Sequence, residues 1–318
     1  MACSWVAIQA TAIQLDRRAL APLYRQALEE REKQFGRDHP KTARSASDLG
    51  LYLRNIGDQN GAAPYLTRAV EIDAKTLSPS SRLLAEDLEN LASVSAPEQA
   101  LQLHRKAAEC GDPEVSARNW GRVGDLSAAQ GNTDTALEAY RHALSKEEAA
   151  SGAAHPRVAV RLNDLAQVVE PKAAEPLVRR ALAIEIRAFG FSNPATGVTM
   201  SNLANVLLGL GKLTEAEARA RQALKILEST LGENHPRVGT ISSNLAAILR
   251  EKPDLVGARK YYARALAIDE VAYGPDHPEV AVDLRNLAEV MDALGNKQAA
   301  KRLAERAAGI TGRQSIKE

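Results

Sequence analysis

LGENHPRVGTISSNLAAIL (residues 231–249) and YGPDHPEVAVDLRNLAEVM (273–291) are two versions of one pattern, 42 residues apart. FGFSNPATGVTMSNLANVL (189–207) is a third, another 42 residues upstream. Self-similarity at such a period marks a repeat architecture, in which each unit buries its apolar face only against its neighbours. A second element follows each copy: AEARARQAL (216–224), GARKYYARAL (257–266) and AAKRLAERAA (299–308). One alanine marks it wherever it recurs, at Ala27, Ala69, Ala107, Ala143, Ala181, Ala223, Ala265 and Ala307. Seven residues before each stands Leu20, Ala62, Ala100, Ala136, Ala174, Ala216, Ala258 or Ala300. Small residues seven apart trace one helix face, two turns on.

The first element carries Leu-Gly or Leu-Ala, at Leu49-Gly50, Leu91-Ala92, Leu165-Ala166, Leu203-Ala204, Leu245-Ala246 and Leu287-Ala288, with Val123-Gly124 as a variant. A larger apolar residue stands four positions before the small one in five units: Leu88, Trp120, Leu162, Met200 and Leu284. Each unit therefore reads as helix A, a tight turn such as Leu210-Gly211-Lys212 or Leu294-Gly295-Asn296, and helix B. Small residues let the paired backbones approach, and large ones fill the layer between units.

This pattern resembles the tetratricopeptide repeat, a helix–turn–helix unit of 34 residues. GENHPRVGTISSNLA and GPDHPEVAVDLRNLA resemble its 42-residue, kinesin-light-chain-like form. The resemblance implies an all-α right-handed superhelical solenoid over residues 19–309, seven helix pairs preceded by a half-unit, with the A helices lining a concave groove. Residues 1–18 read as a divergent or partial helix and 310–318 as a frayed tail. No linker or low-complexity tract divides the chain. The heptad coiled coil that precedes the repeats in kinesin light chains has no counterpart here. Between Asn90 and Ala100, and between Asp164 and Ala174, four residues are missing relative to Asn202–Ala216. Four residues are about one turn, so these two A helices should shorten without rotating their buried face. Pro97 and Pro171 are expected to stop them.

Composition narrows the function. Forty-one Lys and Arg balance 40 Asp and Glu, for a net charge of +1, which is no electrostatic footprint for nucleic acid. No apolar run is long enough to span a membrane. The start, MACSWVAIQATAIQLDRR, lacks the basic leading region of a signal peptide, so the expectation is a cytoplasmic protein. Two cysteines make no disulfide framework or zinc site, and Cys110 reads as an incidental loop thiol. Alanine, the best helix former, is abundant at 57 residues while aromatics are 4%.

Chemistry-bearing constellations are few. His39, His155, His235 and His277 each precede proline, as Asn193 does, and each opens a different unit. Metal ligation would need them to converge, whereas proline at the first helical position explains the spacing directly. GLGKL (209–213) lacks the earlier glycine, the following Ser/Thr and the strand of a phosphate-binding loop. No cofactor or metal is expected, and no catalytic pair is placed by the repeat.

The informative constellation is a row of asparagines. Asn90, Asn202, Asn244 and Asn286 precede the Leu-Ala pair, Asp48 and Asp164 replace them in two units, and Asn163 and Asn205 sit alongside. Asparagine is a mediocre mid-helix residue, so its recurrence asks for a reason. Carboxamides offer donor and acceptor together and can hold a peptide main chain, or they can bond between units and lock the solenoid. Helical offsets of six and three before, and one and four after, the Gly/Ala should share the groove face. These give Arg44, Ser47, Leu51 and Arg54 in the first full unit, and Val198, Ser201, Asn205 and Leu208 in a later one. The same count reaches Arg118, Gly121, Thr240, Ser243, Arg250, Val282 and Arg285. Arg44, Arg54 and Arg118 make the N-terminal part more basic, diluted by Glu86 and Glu89. The expected peptide-binding set is Arg44, Arg54, Asn90, Arg118, Asn163, Asn202, Asn205, Asn244, Arg250, Arg285 and Asn286. The function expected is a non-catalytic scaffold for a partner peptide or helix, with no role for nucleic acid or membrane insertion. The alternatives are a self-associating structural repeat, hence a homo-oligomer, and a sensor module whose effector is on another chain.

Overall fold

A computed structural model describes residues 20–314, and the segment expected as a partial N-terminal helix lies outside them. Fifteen helices are described: α1 (Ala21–Phe35), α2 (Pro40–Asn55), α3 (Gln59–Thr76), α4 (Arg82–Ala92), α5 (Pro97–Ala108), α6 (Pro113–Ala129), α7 (Thr133–Ser151), α8 (Pro156–Ala166), α9 (Pro171–Phe189), α10 (Pro194–Gly209), α11 (Leu213–Leu231), α12 (Pro236–Glu251), α13 (Leu255–Tyr273), α14 (Pro278–Ala293) and α15 (Lys297–Gln314). The architecture is an all-α repeat solenoid, with α1 as a B-type half-unit followed by seven A–B pairs. Two compact units divide at Ala153/Ala154. Among the described residues no helix is long and apolar enough to cross a membrane.

The prolines start helices. Pro40, Pro156, Pro194, Pro236 and Pro278 are first residues of A helices, where the missing N–H costs nothing. The residue before each is extended and caps the helix. Nδ1 of His39, His155, His235 and His277 accepts from the backbone N–H two residues on, at 3.1–3.3 Å. Asn193 Oδ1 does the same at 2.9 Å. Helices α4 and α8 have 11 residues against 16 in α10, as the missing turn requires. Pro97 and Pro171 do not stop them, however. They open α5 and α9, five residues after the A helices have ended.

In the first unit, Ala62, Ala69, Ala107, Ala136 and Ala143 are wholly buried. Gly50 and Gly124 occupy the small position of α2 and α6. A Cβ on Gly50 would stand 2.6 Å from Leu66 Cγ, and one on Gly124 2.3 Å from the Tyr140 ring. Ala27 and Leu20 are exposed, since among the described residues no A helix packs against that side of α1. Trp120, expected between units, is half-buried and stacks on His142 at 4.8 Å.

In the second unit, Ala174, Ala181, Ala216, Ala223, Ala258 and Ala265 are buried, and Ala174, Ala216, Ala223 and Ala258 share one core cluster with Leu203, Leu207, Leu227, Leu245 and Ile248. The turn before α11 reverses at Gly211, whose φ of 71° suits glycine best. At the C-terminal end Ile310 is 1% exposed against Val280, Ala281 and Leu284. That buried face carries the last helix through residues 310–314, which were expected to fray.

Successive B helices are tied by one repeated device. Arg68 pairs with Glu32, Arg264 with Glu228 and Arg306 with Glu270. Each arginine also donates to a carbonyl in the loop that precedes an A helix: Arg37 at 3.1 Å, Glu233 at 3.3 Å and Pro275 at 3.3 Å.

A second device pairs carboxyls. Asp73 on α3 meets Asp87 on α4, and Asp269 on α13 meets Asp283 on α14, all at most 8% exposed. A serine of the preceding A helix donates to each pair: Ser47 to Asp87 at 2.6 Å and Ser243 to Asp283 at 3.5 Å. Asp73 Oδ1, Asp269 Oδ1 and Asp283 Oδ2 are buried with no donor. That is acceptable only if one carboxyl of each pair keeps a proton and donates it to the other. Burial, then the neighbouring carboxylate, pushes Asp73 to about 6 and Asp283 to about 7. Burial also raises Asp87 and Asp269, the first opposed by hydrogen bonds from Ser47 and Asp73 and then by Arg44, the second by the hydrogen bond with Asp283. Forty-two residues upstream of Asp269 and Asp283, the same joint is filled by buried Leu227 and Ile241.

These carboxyls hold protons in the folded state that the unfolded chain releases from about pH 4. Stability should therefore fall as pH rises from about 4 through the raised values near 6 and 7, then level off. The double change Asp269→Leu with Asp283→Ile, copying the chain's own apolar joint, should stabilise the protein by about 1–4 kcal/mol at pH 8 and flatten that decline. Thermal melts between pH 5 and 8 test this. An unchanged pH profile would show that the pair holds no shared proton.

Candidate functional site

The residues expected on the groove face divide by their place in the repeat. Six before the small residue, Arg44, Thr240 and Val282 are exposed and Arg118 and Val198 half-buried. One after it, Asn205 and Glu289 are exposed. Three before it the expectation holds where Asn163 and Ser201 border cavities, but most of these positions are closed in. Ser47, Gly121 and Ser201 are buried and Ser243 half-buried, facing the neighbouring unit, and in this position Arg285 alone is exposed. The physical reason is the close stacking of A helices, which turns this position into the joint.

Among residues 20–153 the expected site residues make local or inter-helix bonds. Arg44 pairs with Asp48 one turn on, at 3.4 Å. Arg54, at the end of α2, donates to Ser93 Oγ at 3.0 Å. Asn90 hydrogen-bonds Asp87. Arg118 on α6 grips Glu89 on α4 through both carboxylate oxygens, at 2.9 and 3.0 Å, and Asn119 donates to the same carboxylate. His104 Nδ1 lies 2.8 Å from Asn119 Oδ1. A cavity of about 460 Å³ opens beside Arg25, Leu53 and Asp58, and none of the expected site residues lines it. Cys110 is 5% exposed, and burial pushes its thiol up, so it is a poor nucleophile.

Among residues 154–314 the asparagines come together. Asn163 on α8 donates to Thr199 Oγ1 on α10 at 2.7 Å. Asn202 Nδ2 on α10 donates back to Asn163 Oδ1 at 3.3 Å, and Asn244 on α12 donates to Ser201 Oγ at 3.1 Å. Arg250 reaches Glu289 on α14 at 2.8 Å. Asn286 is half-buried, and Arg285 is exposed with no partner among the described residues. Glu185 on α9 is buried beside Thr199, and its carboxyl is raised by burial against that hydrogen bond.

Two cavities open on this row and share Asn202. One, of about 260 Å³, is bounded by Asn163, Gln167, Asn202 and Asn205 above Val169 and Val206. The other, of about 170 Å³, lies between Val198, Asn202, Thr240 and Asn244, with Arg237 at its edge. Gln167, Val169 and Arg237 were not anticipated. The first two lie in the loop after the shortened α8, where Gln167 stands one residue after Ala166, the offset that Asn205 holds after Ala204.

Family models described as tetratricopeptide repeat match residues 20–75, 196–237 and 237–311, together more than half of the chain. Comparison with curated protein sequences gives no match. Among solved structures, the nearly identical TPR-like repeats of a Podosopora anserina protein described as a kinesin light chain are similar at 20% identity. That match covers 64% of this chain and 98% of the other, with a TM-score of 0.52. BtubC (BKLC) from P. vanneervenii is similar at 22% identity, over 72% of this chain and 92% of its own, with a TM-score of 0.56. A Rap protein complexed with Competence and Sporulation Factor matches at 14% identity, over 86% and 77%, with a TM-score of 0.62.

Asn163 makes two inter-helix bonds, so Asn163→Ala should cost about 1–3 kcal/mol in urea denaturation. A loss below about 0.5 kcal/mol would show that the asparagine row does not lock these helices.

Proposed function

The chain belongs to the tetratricopeptide-repeat family, with 42-residue units of the kinesin-light-chain-like type, and from this we propose a non-catalytic scaffold that holds a partner's extended segment or helix along its A helices. Proteins of this family are protein-interaction scaffolds. The observation that carries the proposal is the asparagine row of residues 154–314, with two cavities opening on Asn202.

Interlocking and binding are compatible. A carboxamide has two N–H donors and an oxygen that accepts two bonds. Asn202 and Asn244 each spend one donor on the neighbouring helix, which leaves the oxygen and the second N–H for a ligand. The inter-unit bonds fix the orientation of each amide beforehand, so a peptide main chain would meet groups already placed. The exposed Arg44 and Arg285 would add selectivity for acidic side chains. The proposed compartment is the cytoplasm.

Peptides selected by phage display on the native chain test this reading. They are expected to lose at least about tenfold in affinity, about 1.4 kcal/mol, on the variant Asn202→Ala, Asn244→Ala, Asn286→Ala. Asn286→Ala alone, which breaks none of the inter-helix bonds described here, guards against a variant that merely unfolds. Equal binding by native and variant chains would place recognition on another face and overturn the proposal.

A further inference from the structure

The two shortened A helices create two equivalent joints with different chemistry. At the first, the positions matching Asn163, Val178, Asn202 and Asn205 are Glu89, His104, Arg122 and Asp125. The Arg118–Glu89 pair and the His104–Asn119 contact cross that joint. At the second joint, every residue bounding the 260 Å³ cavity is uncharged. Its floor is Val169, Pro171, Ala174, Val178 and Val206, and its rim is Asn163, Gln167, Asn202 and Asn205.

The missing turn accounts for the space. Helices α10 and α12 continue past their Leu-Ala pair for another turn, and that turn places Leu207 and Leu249, 0% and 2% exposed, over the following B helix. Helix α8 ends at Ala166 and has no counterpart. The loop that replaces the turn brings Val169 as its one aliphatic side chain to the cavity, with Gln167 on the rim. In the full-length units the chain fills this layer with its own leucine. Here an aliphatic group from outside can take that place, and the neutral lining disfavours a charged one, which would be desolvated without a counter-ion. The volume is below the roughly 300–1,000 Å³ of sites for drug-sized molecules, so it suits one side chain.

We propose that the cavity between α8, α9 and α10 is an anchor site for a single leucine- or methionine-sized side chain of a bound peptide, whose main chain runs along Asn163, Asn202 and Asn205. The inference rests on the peptide-binding reading and adds to it the chemistry of one position in the ligand. Binding would desolvate the valine floor, while the rim amides take the main-chain groups on either side of the anchor.

Methyl NMR of the full chain titrated with N-acetyl-leucine-methylamide tests it without a known partner. Saturable shifts are expected at Val169, Val178 and Val206 at millimolar concentration, the range set by burying one such side chain. N-acetyl-aspartate-methylamide should produce none. Val169→Phe, which fills the cavity from the loop, should weaken the leucine derivative at least about tenfold, and Asn205→Phe should do the same from the exposed wall. Absence of saturable leucine shifts, equal response to the aspartate derivative, or unchanged binding by both filled variants would each overturn the anchor. These outcomes leave the asparagine row to be judged separately. Selected peptides that still depend on Asn202, Asn244 and Asn286 while the anchor fails would remove the anchor alone.

Discussion

The close approach of helix A to helix B at one small residue per unit is the constraint on which the rest depends. At Gly50 and Gly124 even a methyl group would collide with Leu66 or Tyr140, so the backbones sit as near as glycine permits. Glycine inside a helix costs about 1 kcal/mol against alanine, which the packing of a leucine or tyrosine against its bare face offsets. The alanines seven apart on the B helices serve the same approach from the other side. Once this distance is set, side chains one turn away reach the next A helix, and a short hydrogen bond such as Ser47–Asp87 or Asn163–Thr199 can form across the joint.

The joints then differ by residue choice alone. Two carry carboxyl pairs, one carries Leu227 and Ile241, and one carries Glu185 with Thr199. Apolar filling shows that the fold does not need the acids. The acids instead make their joints sensitive to proton activity near neutrality. The same freedom separates the two shortened units, where one joint is closed by an arginine–glutamate pair and the other is left neutral and open. In a repeat protein such variation is tolerated because each joint answers only to its neighbours.

Helix number and order were legible in the sequence because small residues at fixed offsets have no other economical explanation, and the shortened α4 and α8 followed from counting four missing residues. Pro97 and Pro171 were misread because proline both ends and begins helices, and only the loop length decides between them. The position three before the small residue was placed on the groove by angle. In most units it faces the joint, because A helices stack more closely than a single-helix projection can show, while Asn163 and Ser201 in that position also border cavities. The Asp73–Asp87 and Asp269–Asp283 pairs had a readable signal, the same 14-residue spacing in two units with a serine 40 residues before the second acid. The cavity was legible only at its rim, through Asn163, Asn202 and Asn205, since its floor takes Val169 from an irregular loop.

The central claim is that ligands lie on the A-helix face along the asparagine row. Site-specific photo-crosslinking tests it most directly, with benzoylphenylalanine placed at exposed Val282 on α14, one turn before Asn286, and, for comparison, at exposed Lys225 on α11. The account predicts that a selected peptide crosslinks to the α14 position and is competed away by unlabelled peptide, while the α11 position stays unlabelled. Competable labelling at Lys225 with none at Val282 would contradict it.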